Sequence, residues 1–200
     1  MNYLAHAYLS FDSPGILTGN MISDFVKGKK KYEYPGDIQQ GIALHREIDR
    51  FTDVHSATKE AKQIFRPVYG LYSGSIMDVL YDHFLALDEN EFTDEGLMTF
   101  TSNTYTTLDQ FTAYFPEKFS MMYPYMKAHN WLYNYRYLQG IQKSLGGLVR
   151  RAKYLQESDT AYLLFTDHYD QLKALYKLFF PELKAMAENF VKQLANDSAS

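Results

Sequence analysis

Leu44-His45-Arg46-Glu47-Ile48-Asp49-Arg50-Phe51-Thr52-Asp53 carries its apolar residues at helical spacing. Leu44, Ile48 and Phe51 recur every three or four positions, which puts them on one face of an α-helix and would scatter them over both faces of a strand. His45, Asp49 and Asp53 follow one another four residues apart along the border of that face. One such step climbs about 6 Å and two climb about 12 Å, so His45 and Asp49 can reach one ion while Asp53 lies too far along the axis. Asp53 suits a supporting partner, a ligand of a second site or a hydrogen-bond acceptor at the helix end.

The same periodicity extends outward in both directions. Helices are expected over about 2–10, 16–28, 37–53, 57–66, 74–88, 93–112, 117–127, 130–138, 140–155 and 160–192, the last interrupted near Pro181. Asp12-Ser13-Pro14-Gly15, Pro35-Gly36-Asp37 and Gly70 mark ends and turns. Thr101 to Tyr114 is rich in β-branched and aromatic residues and has the weakest helical pattern. No linker, repeat or low-complexity stretch divides the 200 residues. The expectation is an all-α, single-domain compact fold over 1–193, with 194–200 a frayed C-terminal tail.

Composition narrows the chemistry. With no cysteine in the chain, disulfides, thiolate nucleophiles and Cys-based zinc sites are excluded. MNYLAHAYLS has no basic region ahead of an apolar run, and charge or amide residues interrupt every longer apolar segment, so a soluble, cytoplasmic protein is expected, with no membrane partner. A formal charge of −4 argues against nucleic acid as partner. Two basic patches remain, Lys27-Gly28-Lys29-Lys30-Lys31 and Arg150-Arg151-Ala152-Lys153, each where a helix is expected to end. They serve the helix dipole and solubility, or dock an acidic partner. The 18 tyrosines and 14 phenylalanines are expected mostly in the core, with a few of the run Tyr123, Tyr125, Trp131, Tyr133, Tyr135 and Tyr137 available to line a ligand tunnel.

Three further pairs lie one helical turn apart: Asn2 with His6, Asn20 with Asp24, and Asp78 with Asp82, the last followed by His83. Each has an ordinary reading as a core histidine with a partner or as a solvated carboxylate pair. Their accumulation in otherwise apolar helices favours a shared cation, because a buried carboxylate costs several kcal/mol without a compensating charge or donor. Imidazole and oxygen donors without thiolate suit Mn²⁺, Mg²⁺ or Fe²⁺. His55, His129 and His168 lack such neighbours and are read as structural or surface residues.

Taken in order, Met1-Asn2-Tyr3-Leu4-Ala5-His6, Gly19-Asn20 with Asp24-Phe25-Val26-Lys27-Gly28, Gly41-Ile42 with His45-Arg46-Glu47-Ile48-Asp49 and Thr52-Asp53, and Asp78 with Asp82-His83-Phe84-Leu85 resemble the motifs of the acyl carrier protein phosphodiesterases. Trp131-Leu132 with Tyr135 and the Arg150-Arg151 pair fit the same pattern. The resemblance implies an HD-domain-like helical protein, Mn²⁺ as cofactor, and hydrolysis of holo acyl carrier protein to the apo form and 4'-phosphopantetheine. No His is followed directly by Asp here, and Asp82-His83 reverses the pair that names the HD superfamily, so ligands are ranked by local geometry. On that basis Asp24, His45, Asp82, His83 and His6 are the candidate metal ligands. Asp49 acts on the attacking water and Arg46 clamps the phosphate. Lys27, Lys29, Lys30, Arg150 and Arg151 meet the acidic carrier, and Asn2, Asn20, Asp53 and Asp78 support the ligands. A related phosphohydrolase acting on a nucleotide, and a helical binding module without activity, are the alternatives.

Overall fold

A computed structural model of the chain describes residues 1–197. Helices and short 3-10 turns make up its secondary structure, with no strand among the described residues. The α-helices are α1 (Tyr3–Tyr8), α2 (Pro14–Ile22), α3 (Gly36–Val54), α4 (Ser56–Tyr69), α5 (Ser73–Ala86), α6 (Asp94–Asp109), α7 (Glu117–Ala128), α8 (Trp131–Asn134), α9 (Leu138–Arg151), α10 (Asp159–Asp167) and α11 (Tyr169–Asp197).

Helix α5 is the axis of the fold. Every residue from Val79 to Ala86 is buried, and α1, α4, α9 and α11 pack around the helix. A helix enclosed on all sides must satisfy its polar groups internally. That condition determines what Asp82 and His83 do.

Against α3 lies α2, in the most extensive helix pair among the described residues. A Cβ built on Gly19 would stand 2.0 Å from the Ile38 carbonyl oxygen, and one on Gly41 would stand 2.1 Å from that of Ile16. The two backbones touch, and no side chain larger than hydrogen fits at either position. This contact brings Asn20, the residue after Gly19, against His45, one turn beyond Gly41.

Several boundaries differ from the sequence expectation, among them the expected helix over 130–138, which covers only Trp131–Asn134. Helix α2 stops at Ile22, and 3-10 turns at Ser23–Phe25 and Gly28–Glu33 replace its last turns, with Gly28 at φ 59° redirecting the chain. The expected helix over 160–192 divides at His168 and runs unbroken through Pro181. Pro181 lies on the exposed face while Phe179 and Phe180 are buried, so the carbonyl it frees, on exposed Lys177, is open to water. Helix α6 forms as expected, and the hydroxyls of Thr101, Thr104 and Thr106 are satisfied by carbonyls three or four residues back. Finally, α11 reaches Asp197 through most of the expected tail, and 198–200 lie outside the described residues.

Candidate metal centre

Two helices meet at one point. From α3 come His45 and Asp49, and α1 brings His6 from the opposite side, with one donor atom of each residue within 4.8 Å of the others. The His6 and His45 rings stack with centroids 3.9 Å apart and planes 12° apart. Their Nε2 atoms face the same carboxylate: His45 lies 3.1 Å from Asp49 Oδ2 and His6 lies 3.4 Å from Asp49 Oδ1. Asp24, in the 3-10 turn after α2, approaches His45 Nε2 from outside at 3.2 Å. Both imidazoles are buried, whereas the Asp49 and Asp24 side chains are 42% and 66% exposed, so the cluster opens on its carboxylate side.

Asn20 sets which ring nitrogens are available. Its amide nitrogen donates to the His6 carbonyl at 2.8 Å and to Ser10 Oγ at 3.1 Å, which leaves Oδ1 facing His6 Nδ1 at 2.8 Å. An amide oxygen only accepts, so His6 Nδ1 carries the proton. The Asn20 backbone carbonyl does the same for His45 Nδ1 at 2.8 Å. A neutral imidazole held this way presents an Nε2 lone pair, the form in which histidine ligates metals.

Without a cation the arrangement is unbalanced. His6 Nε2 is buried and makes no hydrogen bond, with its lone pair turned toward an anionic oxygen. Burial, and then the neighbouring His45, hold His6 down at about 4, so it does not acquire a compensating proton near neutrality. Burial also opposes charge on His45, but hydrogen bonds to Asp24 and Asp49 more than reverse this and lift it to about 9. Burial raises Asp49, and the imidazoles of His45 and His6 with the Met1 ammonium outweigh that and hold it well below the usual carboxylate range. One proton on His45 thus occupies the centre of a site whose other nitrogen is left unpaired. A cation accepting both lone pairs and an Asp49 oxygen satisfies every group, so the residues present fit a divalent metal.

The other candidate residues take different places. Asp82 and His83 are not brought to the cluster. The fully buried Asp82 carboxylate accepts from the backbone N–H groups of Asn2, Leu4 and Ala5 at 3.2, 2.7 and 3.3 Å, anchoring the start of α1. Burial pushes its carboxyl up to about 7 against the opposing Met1 ammonium and those amides. His83 donates from Nδ1 to the Tyr135 carbonyl at 2.7 Å and accepts from the Tyr169 hydroxyl at 3.1 Å, so both its nitrogens are satisfied. Asp78 holds the Met1 α-amino nitrogen at 2.9 Å, and that nitrogen lies 3.4 Å from Asp49 Oδ1. Asp53 pairs with Lys62 at 2.7 Å on the surface. Exposed Arg46 donates to the Val26 carbonyl at 3.2 Å. Lys27, Lys29 and Lys30 are exposed beyond Asp24, and Asn2, Arg150 and Arg151 line a cavity beside Tyr3.

Two contributors escape a reading by residue type. The Met1 ammonium is a charge that no side-chain pattern displays. The pairing of Gly19 with Gly41 shows in sequence only as two glycines inside helical periods, a signal that points to close packing without naming the partner.

Fold and site together define an all-helical protein with a histidine–carboxylate cluster able to hold a metal ion. The family profile described as acyl carrier protein phosphodiesterase matches residues 1–183, and the chain belongs to that family. Among proteins named acyl carrier protein phosphodiesterase, one from Photorhabdus laumondii is 31% identical over 94% of this chain and 96% of its own length. Those from Enterobacter sp. (strain 638) and Klebsiella pneumoniae (strain ATCC 700721 / MGH 78578) are each 33% identical over 97% of this chain and 100% of their own. No solved structure matches the chain.

Proposed function

We propose that this chain hydrolyses the phosphodiester joining 4'-phosphopantetheine to acyl carrier protein, using water and a divalent cation, with Mn²⁺ the first choice over Mg²⁺ and Fe²⁺. Family membership supports the reaction, and the unpaired His6 Nε2 beside His45 and Asp49 carries the metal requirement. A cytoplasmic setting, as expected from the sequence, belongs to the same proposal.

When bound, a divalent cation supplies a water of lowered pKa and neutralises a non-bridging phosphate oxygen. His6, His45 and Asp49 hold it, with Asn20 keeping both Nδ1 protons in place. Asp49 presents one oxygen to each imidazole Nε2, which places it as a ligand of the ion at the edge where the attacking water would sit. Exposed Asp24, a ligand on the sequence reading, lies 3.2 Å from His45 Nε2 outside the group of three and orients the attacking water. Arg46, one residue after His45, clamps the phosphate through its planar fork. The basic flanks, Lys27, Lys29 and Lys30 on one side and Arg150 and Arg151 on the other, meet the acidic carrier.

Incubating the protein and Mn²⁺ with holo carrier, and separately with a nucleotide panel, tests this by mass spectrometry. The expected result is carrier lighter by one 4'-phosphopantetheine, with His45→Ala inactive. Intact carrier with a hydrolysed nucleotide establishes the nucleotide phosphohydrolase instead. Failure to bind any divalent ion, with every substrate intact, leaves a binding module.

A further inference from the structure

A cavity of about 430 Å³ lies between the start of α1 and helices α8 and α9. This is within the range of about 300–1,000 Å³ typical of small-molecule sites. None of the metal-centre residues lines it, yet it adjoins them: Asn2 and Tyr3 form one wall, immediately after the Met1 nitrogen that lies 3.4 Å from Asp49. Tyr3 and Arg151 both line the cavity, which therefore runs from the start of α1 to the basic end of α9.

The remaining walls combine two chemistries. Trp131, Tyr135 and Tyr137 supply apolar ring faces, and Asn134, Gln139 and Ser144 supply amide and hydroxyl groups. Helix α9 turns Gly140, Ser144 and Gly147 toward the cavity, so the space beside it stays open. The glycines differ in cause. A Cβ on Gly140 would meet the Asn134 carbonyl oxygen at 2.0 Å, so that position is fixed by packing, whereas one on Gly147 would meet only the mobile ends of the Arg150 and Arg151 side chains, at 3.5 Å or more. Gly147 therefore leaves room that its packing does not demand.

We propose that this cavity receives the pantetheine arm of the substrate while the phosphate sits at the metal centre, an assignment that rests on the hydrolytic function proposed above. The arm is long and narrow, begins with a gem-dimethyl carbon and a hydroxyl, and continues through two amides to a thiol. Rings serve the first part, and Asn134, Gln139 and Ser144 serve the amides, each of which carries a donor and an acceptor. Lys143, Arg150 and Arg151 lie exposed on the same helix, beside the carrier surface from which the arm enters.

Trp131 is the single tryptophan of the chain and lines the cavity, so its fluorescence reports occupancy directly. Titration of the whole protein with D-pantetheine, which has no phosphate, is expected to give a saturable change in Trp131 emission. Gly147→Phe and, one turn away, Ser144→Phe are expected to weaken that response at least tenfold and to raise KM for holo carrier by a similar factor. Helical circular dichroism and the melting temperature of each variant verify that it folds. Cleavage of holo carrier by wild-type protein without a saturable pantetheine response, or folded variants that bind and cleave as wild type does, overturns the cavity assignment and leaves the function standing. Wild-type protein that binds Mn²⁺ and hydrolyses a small diester such as bis(p-nitrophenyl) phosphate, but leaves holo carrier intact, overturns the function and the arm assignment with it.

Discussion

Asn20 serves two histidines through different atoms, its side chain for His6 and its main chain for His45. Removing the side-chain acceptor therefore frees one tautomer and leaves the other fixed. Asn20→Leu, close to Asn in size, is expected to weaken Mn²⁺ binding about 10- to 100-fold, the usual cost of losing a partner that orients a metal ligand, as measured by isothermal titration calorimetry. The same pair gives the metal-free protein a distinctive pH profile. His45 rises from 6.5 to about 9 on folding, so its stabilisation is complete below pH 6.5 and is lost as pH rises through 9. His6 falls from 6.5 to about 4, so below pH 6.5 the unfolded chain takes up a proton that the folded one refuses. Asp82, raised from 3.8 to about 7, keeps over the same range a proton that the unfolded carboxyl has released and so offsets the His6 limb, leaving the loss of stability from His45 between pH 6.5 and 9 as the feature expected in melts of the metal-free protein. Saturating Mn²⁺ should flatten the alkaline limb, since His45 then has no proton to lose; thermal melts across pH 5–10 with and without the metal check both statements.

At the scale of elements, the contact of α2 with α3 sets the register of the site. Gly19→Ala forces a methyl group into the Ile38 carbonyl, and overpacking of this sort costs about 1–3 kcal/mol. It should lower stability in urea unfolding and, by displacing Asn20 from His45, weaken Mn²⁺ binding in the variant that still folds. The element scale also explains what the sequence showed of the site. His45 with Asp49 was legible because both lie on one helix, where spacing alone gives distance. Asn2 with His6 and Asn20 with Asp24 were legible as pairs one turn apart, although only the fold shows that Asn20 faces both imidazoles. Asp82 and His83 carried equally good residue types, but α5 is enclosed on every side. Their partners are main-chain amides, a carbonyl and a tyrosine hydroxyl, and main-chain groups carry no residue-type signal. The break at His168 and the unbroken passage through Pro181 were hidden for a related reason: a proline's cost depends on whether the freed carbonyl meets water, which is a property of the packed face.

Over the whole molecule, the all-helical class was legible because helical spacing dominates the chain and strand-like alternation is scarce. The charge distribution has the same scale. On the function proposed, a chain of net charge −4 would meet an acidic carrier through local excesses of Lys and Arg, and exposed Lys27, Lys29, Lys30, Arg150 and Arg151 are the residues proposed for it. KM for holo carrier should therefore rise with salt while kcat holds, as the screening length contracts from about 10 Å at 0.1 M to about 3 Å at 1 M. Steady-state kinetics across that range would show it, and a KM indifferent to salt would remove these residues from docking.

The parallel rings of His6 and His45, 3.9 Å apart, have a spectroscopic consequence. Each imidazole lies over the face of the other, so the carbon-bound protons of both are shielded by the neighbouring ring current and should resonate upfield of ordinary histidines. A paramagnetic ion seated between their Nε2 atoms would broaden the two sets together, and a diamagnetic one would shift them together. Occupancy of the centre could thus be followed by nuclear magnetic resonance from two side chains alone.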